Sequence, residues 1–183
     1  MPNHCDNWVR ISGDPHVLLM FESQPFDLEM AAPLPEEMRP EIVTVQKESD
    51  DHIIEAPTKR RVVDRSEWIQ EHWGTRWIAP LDDHYSQLRL SRDTEGALQA
   101  HFISAWSPPI PFYNRLAEKY PSIKIEYEYT EWGMEMCGYG VGSPGGKPTH
   151  YNFGSPEEIN ELKALRHWNV CIWSPHFSDM ICK

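Results

Sequence analysis

The run Ile123-Lys124-Ile125-Glu126-Tyr127-Glu128-Tyr129-Thr130 alternates between apolar and polar side chains over its whole length. Successive side chains of a strand point to opposite faces. Ile123, Ile125, Tyr127 and Tyr129 therefore share one face, and Lys124, Glu126, Glu128 and Thr130 share the other. A strand of this kind needs a sheet with one face buried and one wetted, the habit of antiparallel sheets. The rest of the chain must supply the cover for the apolar face.

That cover is legible as helices. Asn7 to Ser12 alternates as a strand, with Val9 and Ile11 inward, and Gly13-Asp14-Pro15 breaks it. Asp14 suits an N-cap and Pro15 the first helical position, so a short helix is expected over His16 to Ser23, with Val17, Leu18, Met20 and Phe21 on one side. Val62 to Trp73 reads as a second helix, capped by Asp64 or Ser66, lined by Trp68, Ile69 and His72, and stopped at Gly74. Strands follow from Trp77, over Ser86 to Ser91 with Leu88 and Leu90 on one face, and over Leu98 to Ala105. The turn Asp93-Thr94-Glu95-Gly96 joins the last two. Ser107-Pro108-Pro109 opens a third helix to about Tyr120, with Phe112, Leu116 and Ala117 inward. After the alternating strand comes a partner strand at about Met134 to Gly140, then a loop from Gly142 to Pro148. A capped helix is expected from Ser155 to about His167, and a tail ending at Lys183.

Two stretches stand outside this rhythm. Pro25, Pro33, Pro35, Pro40 and Pro57 interrupt residues 24–61, with a short strand possible only at Ile42-Val43-Thr44-Val45. A connection of that length is long for a compact domain. Residues 141–183 form a C-terminal extension. The expectation is a single α+β domain over 1–183: a ferredoxin-like split βαβ antiparallel sheet with helices on one face. It carries a long irregular insertion after the first helix and an extra C-terminal helix and tail.

Charge is uneven. The net value is -11, and residues 1–58 carry twelve of the acidic side chains against Arg10, Arg39 and Lys47. Such a surface repels phosphate backbones and favours basic protein partners. The sheet argues against direct nucleic-acid binding too, since Lys124, Glu126 and Glu128 occupy the face that would have to stack bases. No apolar stretch approaches the roughly 18 residues that span a bilayer. The start lacks a basic-then-apolar signal, so a cytoplasmic protein with reduced Cys5, Cys137, Cys171 and Cys182 is expected.

Two tryptophan-centred segments remain, Glu71-His72-Trp73-Gly74-Thr75-Arg76-Trp77 and Phe102-Ile103-Ser104-Ala105-Trp106-Ser107-Pro108-Pro109. Where a helix turns into a strand, Trp73, Arg76, Trp77 and Trp106, with His4, are candidates for an aromatic ligand pocket whose guanidinium binds an anion. The same residues also suit a packed aromatic corner. No metal site is expected, because neither His4-Cys5 nor Cys171, His176 and Cys182 has a zinc spacing. No cofactor motif and no catalytic constellation is visible. Pro2 could act as a terminal base only after loss of Met1.

The two segments, the opening Met1-Pro2-Asn3-His4 and the phrase Phe26-Asp27-Leu28 with Pro33-Leu34-Pro35-Glu36-Glu37 resemble the YubB ferredoxin-like (Api92-like) family of phage, prophage and plasmid proteins. The likeness runs from Met1 to about Gly140. It implies the ferredoxin-like fold and a mobile-element carrier in a bacterial cytoplasm. The expected function is that of a non-enzymatic accessory protein that binds a host protein, basic or nucleic-acid-associated, to counter a defence system. A nucleotide-like ligand at the Trp73, Arg76, Trp77 and Trp106 corner, and an acidic DNA mimic, are the alternatives.

Overall fold

The fold is described from a computed structural model over residues 3–39, 65–81, 86–131, 133–134 and 136–153. Strand β1 (His4–Gly13) leads into helix α1 (Pro15–Ser23), and short 3-10 turns follow at Leu28–Met30 and Glu36–Met38. Helix α2 (Arg65–His72) precedes β2 (Ile78–Pro80), β3 (Ser91–Arg92) and β4 (Leu98–Ala105). Then come helix α3 (Ile110–Lys119), β5 (Ile123–Glu131), β6 (Met136–Ser143) and β7 (Gly146–Phe153).

The strands form one sheet in the order β2-β4-β1-β5-β6-β7, with β3 pairing β4 alongside β2. Every pairing is antiparallel, and β1 lies in the middle, its Val9 between Ala100 of β4 and Tyr127 of β5. All three helices pack on one face. Leu18 and Phe21 of α1, Ile69 of α2, and Phe112, Leu116 and Ala117 of α3 share one core with Val9, Ile11, Ile123, Ile125, Tyr127 and Tyr129. The alternation of β5 thus turns its tyrosines toward the helices and Lys124, Glu126 and Glu128 to the other face.

Local chemistry accounts for the boundaries. The Asp14 carboxylate accepts from the backbone N–H of His16 and of Val17, filling two orphan donors of α1. Asp93 does the same for Glu95 and Ala97 in the turn before β4, while Arg10 of β1 holds Asp93 at 2.8 Å.

Two expected features differ. Ser86 to Ser91 does not form a strand: only Ser91 and Arg92 pair with β4. Leu88 and Leu90 are buried as the alternation requires, but the Leu88 carbonyl accepts from Phe26 N–H at 2.8 Å, so the backbone bonds to the loop after α1 instead of to a sheet neighbour. The loop expected from Gly142 to Pro148 is a hairpin: β6 continues to Ser143, the chain reverses through Pro144 and Gly145, and β7 begins at Gly146. Gly145 takes φ 79°, open to glycine at no cost, and this lets the reversal be tight. The strand considered at 42–45, the capping role of Asp64 and the helix expected from Ser155 lie outside the described residues.

Candidate functional site

The sequence candidates separate into a packed corner and an exposed edge. Trp73 follows α2 and is buried. Its indole N–H donates to the Ala32 carbonyl at 2.9 Å, and its ring meets Trp68 edge-on at 5.3 Å, with Trp68 stacked in turn on His72 at 4.2 Å. Gly74 next takes φ 78°, and a Cβ there would stand 2.4 Å from Pro111 Cδ, so the turn is pressed against the start of α3. Thr75 is buried as well, and its hydroxyl donates to the Ala105 carbonyl at 2.8 Å. Trp77 is half-buried and meets the ring of His4 edge-on at 5.7 Å.

Arg76 and Trp106 face outward. The Arg76 guanidinium is exposed and reaches Ser66 Oγ at 3.5 Å. Trp106 is 46 % exposed, and its φ of 67° places it in the left-handed region, the one described non-glycine residue there. Its neighbours hold that backbone from several sides. Trp106 N–H donates to the Asn3 carbonyl at 2.9 Å and Ser107 N–H to the Ala105 carbonyl at 2.8 Å. The Ser107 hydroxyl donates to the Gly74 carbonyl at 2.5 Å, while the Ser104 hydroxyl donates to the Ser107 carbonyl at 2.8 Å. Behind them the buried Asn7 amide donates to Ser104 Oγ at 2.8 Å.

An open groove of about 750 Å³ runs beside this edge, lined by Ser66, Glu67 and Gln70 of α2 and by Arg76, Ala105, Trp106 and Ser107. It brings together two of the five predicted residues, Arg76 and Trp106. Trp73, Trp77 and His4 do not line it. Ser66, Glu67, Gln70 and Ser107 carry no motif and become visible only when α2 is laid beside the end of β4. The groove offers an indole face, one guanidinium, one carboxylate and hydroxyl and amide groups, which is the chemistry of recognition.

A second polar cluster lies under α3. Tyr127 and Tyr129 extend across Gly140 and Gly138 of β6 and approach His150 of β7, at 3.2 Å to Nδ1 and 3.4 Å to Nε2. Tyr129 also donates to Asn152 Oδ1 at 3.1 Å. Burial pushes both phenols up and holds the His150 imidazole below its ordinary range. Cys5, buried at the same face, is pushed up to about 12, chiefly by desolvation, so its thiol stays protonated near neutral pH. Among the described residues no three His, Cys, Asp or Glu side chains gather to hold a metal ion, and no helix is long and apolar enough to cross a membrane.

Residues 84–166 match the family model for the ferredoxin-like domain in Api92-like protein. The match takes in β3 to β7 and α3, including Trp106, and begins after the Trp73 to Trp77 segment. It also extends past Gly140, beyond the likeness read from the sequence, and takes in the β6–β7 hairpin. The antiparallel sheet with helices on one face agrees with it. No curated protein and no solved structure matches the chain.

Proposed function

We propose, from the match of residues 84–166 to the family model for the ferredoxin-like domain in Api92-like protein, that the protein is a non-enzymatic accessory factor of a phage or plasmid, acting by binding a host protein through the Trp106 edge. Trp106 is the observation that carries this reading. An exposed indole in left-handed backbone costs stability twice: in strain, of order 1 kcal/mol or more, and in apolar surface left in water. A fold that spends several hydrogen bonds to keep that conformation gains from having the ring outside. Tryptophan and arginine are the residues that dominate binding energy at protein interfaces, and Arg76 stands in the same groove. The mobile-element setting and a target in the host's defence against foreign DNA rest on the family likeness alone.

The test places a photo-crosslinking amino acid at position 106 in bacterial cells. The expected result is one discrete adduct with a host protein, absent when the crosslinker sits at exposed Leu19 on α1. Equal, diffuse labelling from both positions would remove the support for a Trp106 interface. A nucleotide-like ligand is the other reading, favoured by Arg76 in a groove of this volume. Stabilisation of the protein by a nucleotide, lost in Arg76→Ala, would select it instead.

A further inference from the structure

Resting on the binding role just given to Trp106, we infer the chemistry of what the groove receives: a lysine or arginine side chain of the partner, its cationic head over the Trp106 indole and against the Glu67 carboxylate. The indole face is negative and attracts cations, guanidinium above all. Glu67 lies in the first turn of α2, lines the same groove and is exposed. Among the described residues it carries no ion pair. Ser66, Gln70 and Ser107 complete the wall with acceptors for the remaining N–H groups of a guanidinium or for the partner backbone.

The rival occupant is an acidic side chain held by Arg76, and magnitudes decide between them. An exposed cation–π contact and an exposed ion pair are each worth about two- to fivefold in affinity. A cation gains both, from Trp106 and Glu67, against repulsion from the single like charge of Arg76 in the groove. An anion gains one, from Arg76, and must approach a chain of net charge -11 on which the α2 surface also exposes Glu71. Arg76 stands beside Ser66, where it is placed to take a backbone carbonyl of the same partner segment.

The test follows the indole N–H resonances of the chain of residues 1–183 by NMR, with Trp106 assigned from its loss in Trp106→Phe. Pentaarginine amide and pentaglutamate amide are titrated separately. Pentaarginine should move the Trp106 resonance, and its affinity, measured by calorimetry so that a variant without the indole can be compared, should fall about two- to fivefold in Glu67→Gln and again about two- to fivefold in Trp106→Leu, while spectral dispersion shows that both variants stay folded. Pentaglutamate should leave the resonance in place. The inference is overturned if pentaarginine binds Trp106→Leu as well as wild type, which is attraction to net charge alone. It is overturned equally if pentaglutamate moves the resonance and Arg76→Ala abolishes this, or if neither peptide moves it. Each of these leaves a crosslink from position 106 standing, so loss of the cation reading and loss of the interface are told apart.

Discussion

Left-handed backbone costs an L-residue about 1–2 kcal/mol and costs glycine almost nothing, which makes Trp106 at φ 67° a position where the usual ranking of small residues reverses. In an ordinary strand or helix, glycine is worse than alanine by about 0.5–1 kcal/mol. Here Trp106→Gly and Trp106→Ala remove the same ring and its contacts, and they differ in whether a Cβ must sit at positive φ. Urea unfolding should find the glycine variant more stable than the alanine variant by about 1 kcal/mol. The reverse order would mean that the backbone relaxes when the ring is gone, so that the indole imposes the conformation and is not displayed by it. Nothing local in the sequence shows which of the candidate tryptophans Trp73, Trp77 and Trp106 is exposed. Trp73 and Trp106 sit in similar aromatic phrases, yet one donates its N–H to the Ala32 carbonyl inside the core and the other stands at the rim. The difference is made by long-range partners of residue 106, Asn3 and, through Ser107, Gly74, which local pattern does not encode.

At the scale of elements, legibility follows how local the determining interaction is. Helix α1 is set by Asp14 capping its own first turn beside Pro15, and β5 by its own alternation, so both are read from the chain within a residue or two. Strands β6 and β7 depend on a neighbour. The sequence supports a strand to Gly140 and a loop from Gly142, and nothing local shows what fills the space above Gly138 and Gly140. Tyr127 and Tyr129 from β5 fill it, lying flat across the strand so that a Cβ at Gly140 would stand 2.2 Å from Tyr127 Cζ and one at Gly138 2.5 Å from Tyr129 Oη. The Tyr127 ring has little room to yield, since Tyr113 of α3 stacks on its other side at 4.5 Å and Tyr113 itself is fully buried. Gly140→Ala is therefore expected to cost about 1–3 kcal/mol, as overpacking of a filled core does. The loss should be visible as a lower urea midpoint at unchanged m-value. Wild-type stability in Gly140→Ala would show that the ring swings aside and that the glycines of β6 serve another purpose. The same long-range logic hides the groove: its α2 wall and its β4 wall are separated by a stretch of sequence with no signature in common.

For the molecule as a whole, the β6–β7 hairpin extends the sheet beyond the βαββαβ core of β1, α1, the β2/β3 edge, β4, α3 and β5, and His150 joins the two parts. Its imidazole lies between the hydroxyls of Tyr127 and Tyr129, stacked near both rings at 6.1 and 5.7 Å, under the helix-covered face. The groups that approach its ring nitrogens are these two phenols, both neutral across the physiological range because burial raises them. Among the described residues no carboxylate is bonded to His150 to reward a proton. Desolvation therefore holds the folded-state value below the ordinary 6.5. The unfolded chain then binds more protons than the native state between those two values, and stability rises with pH across that window. Equivalently, the full contribution is present above about pH 6.5 and is lost as pH falls toward the folded value. The Asp93 carboxylate, held below 3.8 by Arg10 and the backbone N–H groups of Ala97 and Glu95 against the desolvation that would raise it, acts in a lower range and does not overlap. Urea midpoints measured from pH 7.5 to 5 should fall for the wild type and fall less for His150→Asn, which keeps a polar partner for the tyrosines and has no proton to gain. Parallel curves for the two proteins would place the titration elsewhere and leave the hairpin tied to the core by packing alone.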